Sequence, residues 1–113
     1  MHELTLAVNI IEIAESEARQ AGSDRVYEVL IEAGILSGVD AGALKTALDI
    51  ASQRTILESA EFVIRQEMGL GICSQCGREF AMDSLYTYCE SCHAPANRII
   101  QGTDLRVVSV KIE

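Results

Sequence analysis

The chain is poor in aromatic rings and in positive charge. It has three Tyr, two Phe and no Trp, 4% of its 113 residues, too few for an obvious aromatic docking patch. Lys and Arg number 9 against 17 Asp and Glu, leaving a formal net charge of −8. Phosphate backbones are held by Lys and Arg, so this balance argues against nucleic acid as a partner and suits a cation or a basic protein surface. No apolar run approaches the roughly 18 residues that a membrane helix needs, so no membrane association is expected. Glu3 stands where a signal peptide would carry basic residues, and Glu12, Glu15 and Glu17 break up the apolar stretch behind it. The expected location is therefore cytoplasmic, where thiols stay reduced. The sequence has no P-loop, no Ser/His/Asp set and no paired histidine base, and an enzyme is not expected.

What remains has the makings of one domain with a small insertion. From Leu4 to Ala21 the apolar residues Leu4, Ala7, Val8, Ile11, Ala14 and Ala18 recur at helical spacing, with Leu6, Ile10 and Ile13 widening the stripe. Gly22 ends this helix. RVYEVLIEAG (Arg25–Gly34) reads as a strand closed by Gly34. A turn then feeds a second helix, with Asp40 as N-cap and Leu44, Ala47, Leu48 and Ala51 on one face. EFVIRQE (Glu61–Glu67) and DLRVVSVKIE (Asp104–Glu113) alternate and make two further strands. The expected fold class is α+β: two helices packed on a small three-stranded sheet, with an inserted zinc-ribbon-like domain.

The insertion is Met68 to Gly102. It holds all four cysteines and the only proline, and it is too short and too poor in large apolar residues to fold on a core alone. Its motif is CSQC (Cys73, Cys76), twelve residues, then CESC (Cys89, Cys92). Two residues between cysteines let both thiolates of a tight turn face one ion. Two such turns joined by a hairpin supply four sulfurs in a tetrahedron, which zinc accepts. The alternatives are disulfides and a redox pair at Cys73/Cys76; a reducing compartment and the duplicated spacing argue against both. Four protein ligands leave no open position, so such a zinc is structural. Loading Zn2+ on four thiolates would take the charge from −8 to −10, the sum of −4 and +2. Gly77 sits where the first turn requires positive φ, and Tyr86 and Tyr88 are expected to pack the hairpin beside the site. His93 follows Cys92 directly. It reads first as a solvent-exposed turn residue and second as an alternate ligand.

Zinc ribbons alone name no function, but the combination is more specific. MHEL at the N-terminus, the amphipathic helix, the short α/β unit, the paired C-x-x-C motifs and the closing GTDLRVVSVKIE together resemble the HypA/HybF hydrogenase nickel-incorporation family over essentially the whole chain. The resemblance implies a nickel metallochaperone for [NiFe] hydrogenase maturation, with urease as a further client in some members. It implies a HypB-type GTPase, the hydrogenase large subunit or its maturation complex, and urease accessory proteins as partners. The oligomeric state stays open, a homodimer included. It implies residues 1–68 plus 103–113 as a nickel-binding α/β domain and 69–102 as a four-cysteine zinc domain. His2 carries over as nickel ligand, Glu3 as a residue tuning the site or a partner contact, Asp40 as an acidic residue near it, and Cys73, Cys76, Cys89 and Cys92 as zinc ligands.

The chemistry of His2 fits that role. The Met1 amine, the His2 amide nitrogen and the His2 imidazole lie within one residue's reach and would form fused chelate rings on Ni2+, which favours square-planar nitrogen donors. Amide binding releases a proton, so affinity should rise with pH. A histidine at residue 2 leaves one corner of the square for the Glu3 amide or carboxylate, Asp40 or water. Glu3 and Asp40 also have ordinary helix roles, Glu3 beside a helix dipole and Asp40 as a cap. The competing reading is a zinc-ribbon adaptor without nickel. It would lead one to expect basic and aromatic residues around the cysteines, whereas Ile72 to Gln101 offers Arg78 and Arg98 against Glu79, Asp83 and Glu90.

Overall fold

The computed structural model describes residues 3–113. The elements in chain order are α1 (Glu3–Gln20), β1 (Val26–Gly34), α2 (Ala41–Ala51), β2 (Glu61–Glu67), β3 (Gly69–Cys73), β4 (Glu79–Met82), β5 (Ala96–Gln101) and β6 (Leu105–Ile112). They make an α+β protein with two three-stranded sheets, ordered β2-β1-β6 and β4-β3-β5. The chain divides into two compact units. One takes the chain up to Glu32 together with Asp40–Arg65 and Arg106–Glu113; the other takes Ala33–Val39 and Gln66–Leu105.

In the first unit, α1 and α2 pack together. The core is built from Ala7, Ile10, Ile11, Ala14 and Ala18 of α1, Leu44 and Leu48 of α2, and Val29 and Ile31 of β1. The buried stripe of α1 is narrower than its sequence suggests: Leu4, Val8 and Ile13 are 55%, 42% and 48% exposed. They flank the stripe, since small alanines at the contact let the helix seat closely on one narrow face. Gly22, at φ 74°, ends α1; its N–H reaches the Arg19 carbonyl and the Ser23 N–H reaches that of Ala18, the paired bonds of a Schellman cap. Asp40 caps α2, its Oδ1 accepting the Ala43 N–H at 3.0 Å.

β1 is the central strand. β2 runs parallel to it, with the Val26 N–H bonded to Ile56 and Glu32 paired to Arg65 further along. β6 runs antiparallel, with the Glu113 N–H on the Arg25 carbonyl at one end and the Gly34 N–H on that of Asp104 at the other. Strand alternation that turns Val29 and Ile31 into the core turns Glu28 and Glu32 to the opposite face. There Glu32 accepts from both Arg65 and Arg106, and Glu28 lies 3.1 Å from Lys111.

In the second unit, β3 is central and antiparallel to both neighbours, pairing Gly69 with Met82 and Ile72 with Glu79 on one side, Leu70 with Gln101 and Cys73 with Ala96 on the other. The cysteine insertion is thus a three-stranded sheet where a hairpin was expected. Ala33–Val39 belongs to this unit through backbone bonds. The Gly34 N–H reaches Asp104, the Ile35 N–H reaches Glu67 and the Leu36 N–H reaches Gly102, at 2.7 to 2.8 Å. Main chains approach so closely here that a Cβ on Gly34 would collide with the Gly102 carbonyl, and one on Gly69 would lie 2.5 Å from the Met82 oxygen.

Candidate metal centre

The two C-x-x-C segments fold as near copies of one another. Cys73 opens the first: its N–H bonds the Arg78 carbonyl, and the Gly77 N–H returns to the Cys73 carbonyl at 3.1 Å. Cys89 opens the second: its N–H bonds the Ala94 carbonyl, and the His93 N–H returns to the Cys89 carbonyl at 2.7 Å. Gly77 has the expected positive φ, 74°, and His93 stands at the equivalent place with φ 56°. The left-handed conformation costs an L-residue about 1–2 kcal/mol, although histidine is among the non-glycine residues found there more often than most.

These turns bring the four sulfurs of Cys73, Cys76, Cys89 and Cys92 within 4.8 Å of one another. No disulfide joins them. Among the described residues they are the one group of His, Cys, Asp and Glu side chains placed to share a metal ion. Sulfurs about 2.3 Å from a tetrahedral zinc stand roughly 3.8 Å apart. The Cys76 and Cys89 sulfurs are 3.9 Å apart, so the donor set fits a zinc-type ion as it stands. When bound, that ion would tie the end of β3, the turn that follows it and the second cysteine turn together through Cys73, Cys76, Cys89 and Cys92, a structural cross-link of a segment with little core of its own.

Hydrogen bonds already prepare one thiol for a metal. The backbone N–H of Cys76 points at Cys73 Sγ at 3.4 Å, as does that of Gln75. The Cys76 N–H is the main cause that lowers the Cys73 thiol from 9.0 to about 6, against the opposing effect of burial. Cys92 goes the other way, raised to about 12, first by its bond with the Cys76 side chain and then by burial. Cys73, Cys89 and Ala94 are buried together, with Phe80 and Cys92 packed on them. Phe80 and Ala94 carried no expectation from the sequence. One of only two phenylalanines lying between the motifs was the available signal for the first, and the position five residues after Cys89, matching Arg78 after Cys73, for the second.

The remaining candidate residues fall outside this cluster. His93 is exposed and its ring lies 5.5 Å from that of Tyr88. Tyr86 is 91% and Tyr88 54% exposed, so the expected packing of both beside the site fails for Tyr86. The loop carrying it is held instead by polar bonds, Thr87 Oγ1 to Asp83 and the Tyr86 N–H to Ser84. Glu3 is the first residue of α1 and half-buried, and Asp40 is exposed and engaged as the cap of α2. Met1 and His2 lie outside the described residues.

A family model described as "Hydrogenase/urease nickel incorporation, metallochaperone, hypA" matches residues 1–112. The chain belongs to the HypA family. Its relatives include the hydrogenase maturation factor HypA of Prosthecochloris aestuarii, 34% identical over 113 residues and all of both chains. That of Parabacteroides distasonis is 38% identical over 113 residues, all of this chain and 98% of the relative. The solution structure of the Ni metallochaperone HypA from Helicobacter pylori has a similar fold, with a TM-score of 0.72 at 24% identity over 99% of this chain and 97% of that one. HypA membership makes this a metallochaperone-family maturation factor in hydrogenase/urease nickel incorporation. Among the described residues no helix is long and apolar enough to cross a membrane.

Proposed function

We propose that this HypA chain carries Ni2+ at its N-terminus and delivers it for maturation of [NiFe] hydrogenase, with urease as a second client class. The nickel ligands are the Met1 amine, the His2 amide and the His2 imidazole. Glu3 or Asp40 takes or steers the remaining position. Cys73, Cys76, Cys89 and Cys92 hold zinc, and His93 acts as an alternate ligand only when a cysteine is displaced. A HypB-type GTPase supplies nucleotide hydrolysis, and the hydrogenase large subunit or its maturation complex, or urease accessory proteins, receive the metal.

The observation that carries this reading is the closed sulfur cluster in a chain of the nickel-incorporation family. Four mutually close thiolates fill a tetrahedral ion's coordination and leave no corner for an incoming ligand. A cargo ion that must be handed on needs different donors, and a nitrogen-rich, incompletely filled chelate suits Ni2+. The test is calorimetric nickel titration of tag-free, zinc-loaded protein beside His2→Ala and a variant with two residues added before Met1. Loss of the site in both variants supports the chelate. Equal binding by all three defeats it, and the chain would then act as a zinc-stapled interaction module.

A further inference from the structure

Ile13 and Glu17 on one side of α1 face Val107–Val110 of β6 across a cleft. β6 is an edge strand of the β2-β1-β6 sheet, so among the described residues its backbone groups have no neighbouring strand along one side. Exposed edges are usually guarded by charged side chains. In β6 those charges are Arg106 and Lys111, and both are engaged on β1, Arg106 by Glu32 and Lys111 by Glu28 at 3.1 Å. Between them Val107, Val108, Ser109 and Val110 carry no charge, and Val108 is 44% exposed. A cleft of about 200 Å³ runs along this stretch, with Ile13 and Glu17 of α1 as its other wall. A second concavity shares Ile13 and Glu17 and extends over α1 past Glu12. No Lys or Arg lines either one.

We propose that this cleft docks an extended segment of a partner protein, which adds to the sheet beside β6 and carries alternating small apolar and basic side chains. Strand addition meets the unpaired backbone of the edge, and alternate side chains then face the valines and Ile13 on one side. At about 3.3 Å per residue, Val107–Val110 pairs with a segment of roughly four or five residues. A helix laid in the cleft would leave the edge backbone unmet. The charge of the occupant follows from the rim: Glu12 and Glu17 are exposed acids with no basic neighbour in the lining. A second copy of the chain is disfavoured for the same reason, because it would add another net −8 and the same acids.

The experiment uses the full zinc-loaded chain, labelled with 15N, and a capped synthetic peptide of alternating lysine and valine. A copy of the peptide N-methylated at alternate backbone nitrogens, and a glutamate–valine peptide, serve as controls. The lysine–valine peptide should shift the amides of Val107–Val110 and slow their exchange. N-methylation should weaken it by about tenfold or more, and the glutamate–valine peptide should not bind. Val108→Lys, which restores a guarding charge on an exposed position, and Glu17→Lys should each weaken binding by about tenfold with the melting temperature unchanged. Shifts that avoid Val107–Val110, or equal affinity for the methylated and unmethylated peptides, would overturn the proposal. So would self-association of the chain through β6 that the peptide does not displace, since the occupant would then be a second copy. None of these readouts involves nickel.

Discussion

Three glycines within nine residues should respond to alanine in three different ways, and the order follows from geometry. At Gly34 a Cβ would collide with the carbonyl of Gly102 and sit 2.8 Å from the Thr103 nitrogen. Real Cβ contacts essentially never come under 3.0 Å, so one main chain must move. That movement strains the Gly34 N–H to Asp104 bond at 2.7 Å and the Leu36 N–H to Gly102 bond at 2.8 Å. A backbone group left unsatisfied costs about 1–3 kcal/mol, so losing both gives a penalty of about 2–6 kcal/mol. At about 4 °C per kcal/mol for a chain of this size, that is a fall of roughly 8–25 °C in Tm. Gly38 has open space around its missing Cβ, but φ is +78°. Gly38→Ala therefore costs about 1 kcal/mol, the left-handed penalty less the entropy that alanine removes from the unfolded chain. Gly42 lies inside α2 at an ordinary φ with only Asp40 Oδ1 near, at 3.4 Å, and alanine there should stabilise by about 0.5 kcal/mol through helix propensity. The assay is thermal unfolding by circular dichroism at fixed excess zinc, with amide exchange at Leu36 as the local readout. If Gly34→Ala costs no more than Gly38→Ala, the close packing of the Gly34 and Gly102 backbones is not as described.

Zinc binding should release about one proton fewer as pH rises through about 6, because Cys73 has by then lost its own; calorimetry in two buffers of different ionisation enthalpy counts this. The signs for the metal-free fold are opposite at the two thiols. The lowered Cys73 contributes stability above 9.0 that is lost as pH falls through about 6, and the raised Cys92 contributes stability below 9.0 that is lost as pH rises through about 12. His93→Gly should keep zinc as well as the parent in a chelator competition, since glycine suits a residue at φ 56°, whereas β-branched His93→Val should lose it faster; release of zinc from His93→Gly would give His93 a role beyond the turn. Asp40→Ala should cost about 1 kcal/mol as a lost cap, and Asp40→Asn should recover it; if Asp40→Asn recovers stability but not nickel affinity, the carboxylate acts on nickel as well as on α2.

Much of the first unit was legible because its signals are long. α1 was readable from a repeating apolar stripe, α2 from a capping aspartate followed by Leu44, Ala47 and Leu48, and β2 from seven alternating residues. Periodicity did not set the width of the stripe, and Leu4, Val8 and Ile13 were overcounted because the pattern cannot say how close the neighbours come. The cysteine motifs declared the metal centre, since two-residue spacing is a local geometric demand. The sheet around it was not legible. β4 is only four residues long, and β5, ANRIIQ, does not alternate. Nor does anything local place Ala33–Val39 with the cysteine unit. Its partners Glu67, Gly102 and Asp104 lie far along the chain, and backbone bonds leave no mark on side-chain identity. The left-handed His93 was hidden because histidine is not a turn residue by type; only its equivalence to Gly77 in the duplicated turn reveals it.

A carrier and a staple make opposite demands on a metal site, and the described residues show how one small chain meets the second of them. A staple should saturate its ion, and the cysteine turns would do so with four sulfurs from two nearly identical loops, each closed by its own pair of backbone bonds. The metal-free cluster keeps Cys73 and Cys92 at opposite ends of the titration range. The Cys73 thiolate is thus available to an arriving ion, whereas the Cys92 thiol would give up its proton only to the metal itself. A carrier needs the reverse, few ligands and a vacant position. That is why residues already committed to helix ends suit it better than residues committed to a core. Asp40 holds α2 through one carboxylate oxygen and stays exposed, and Glu3 opens α1. Neither needs a metal to hold its helix-end position, so under the proposed nickel site a transferable ion would come and go without unfolding the unit that presents it.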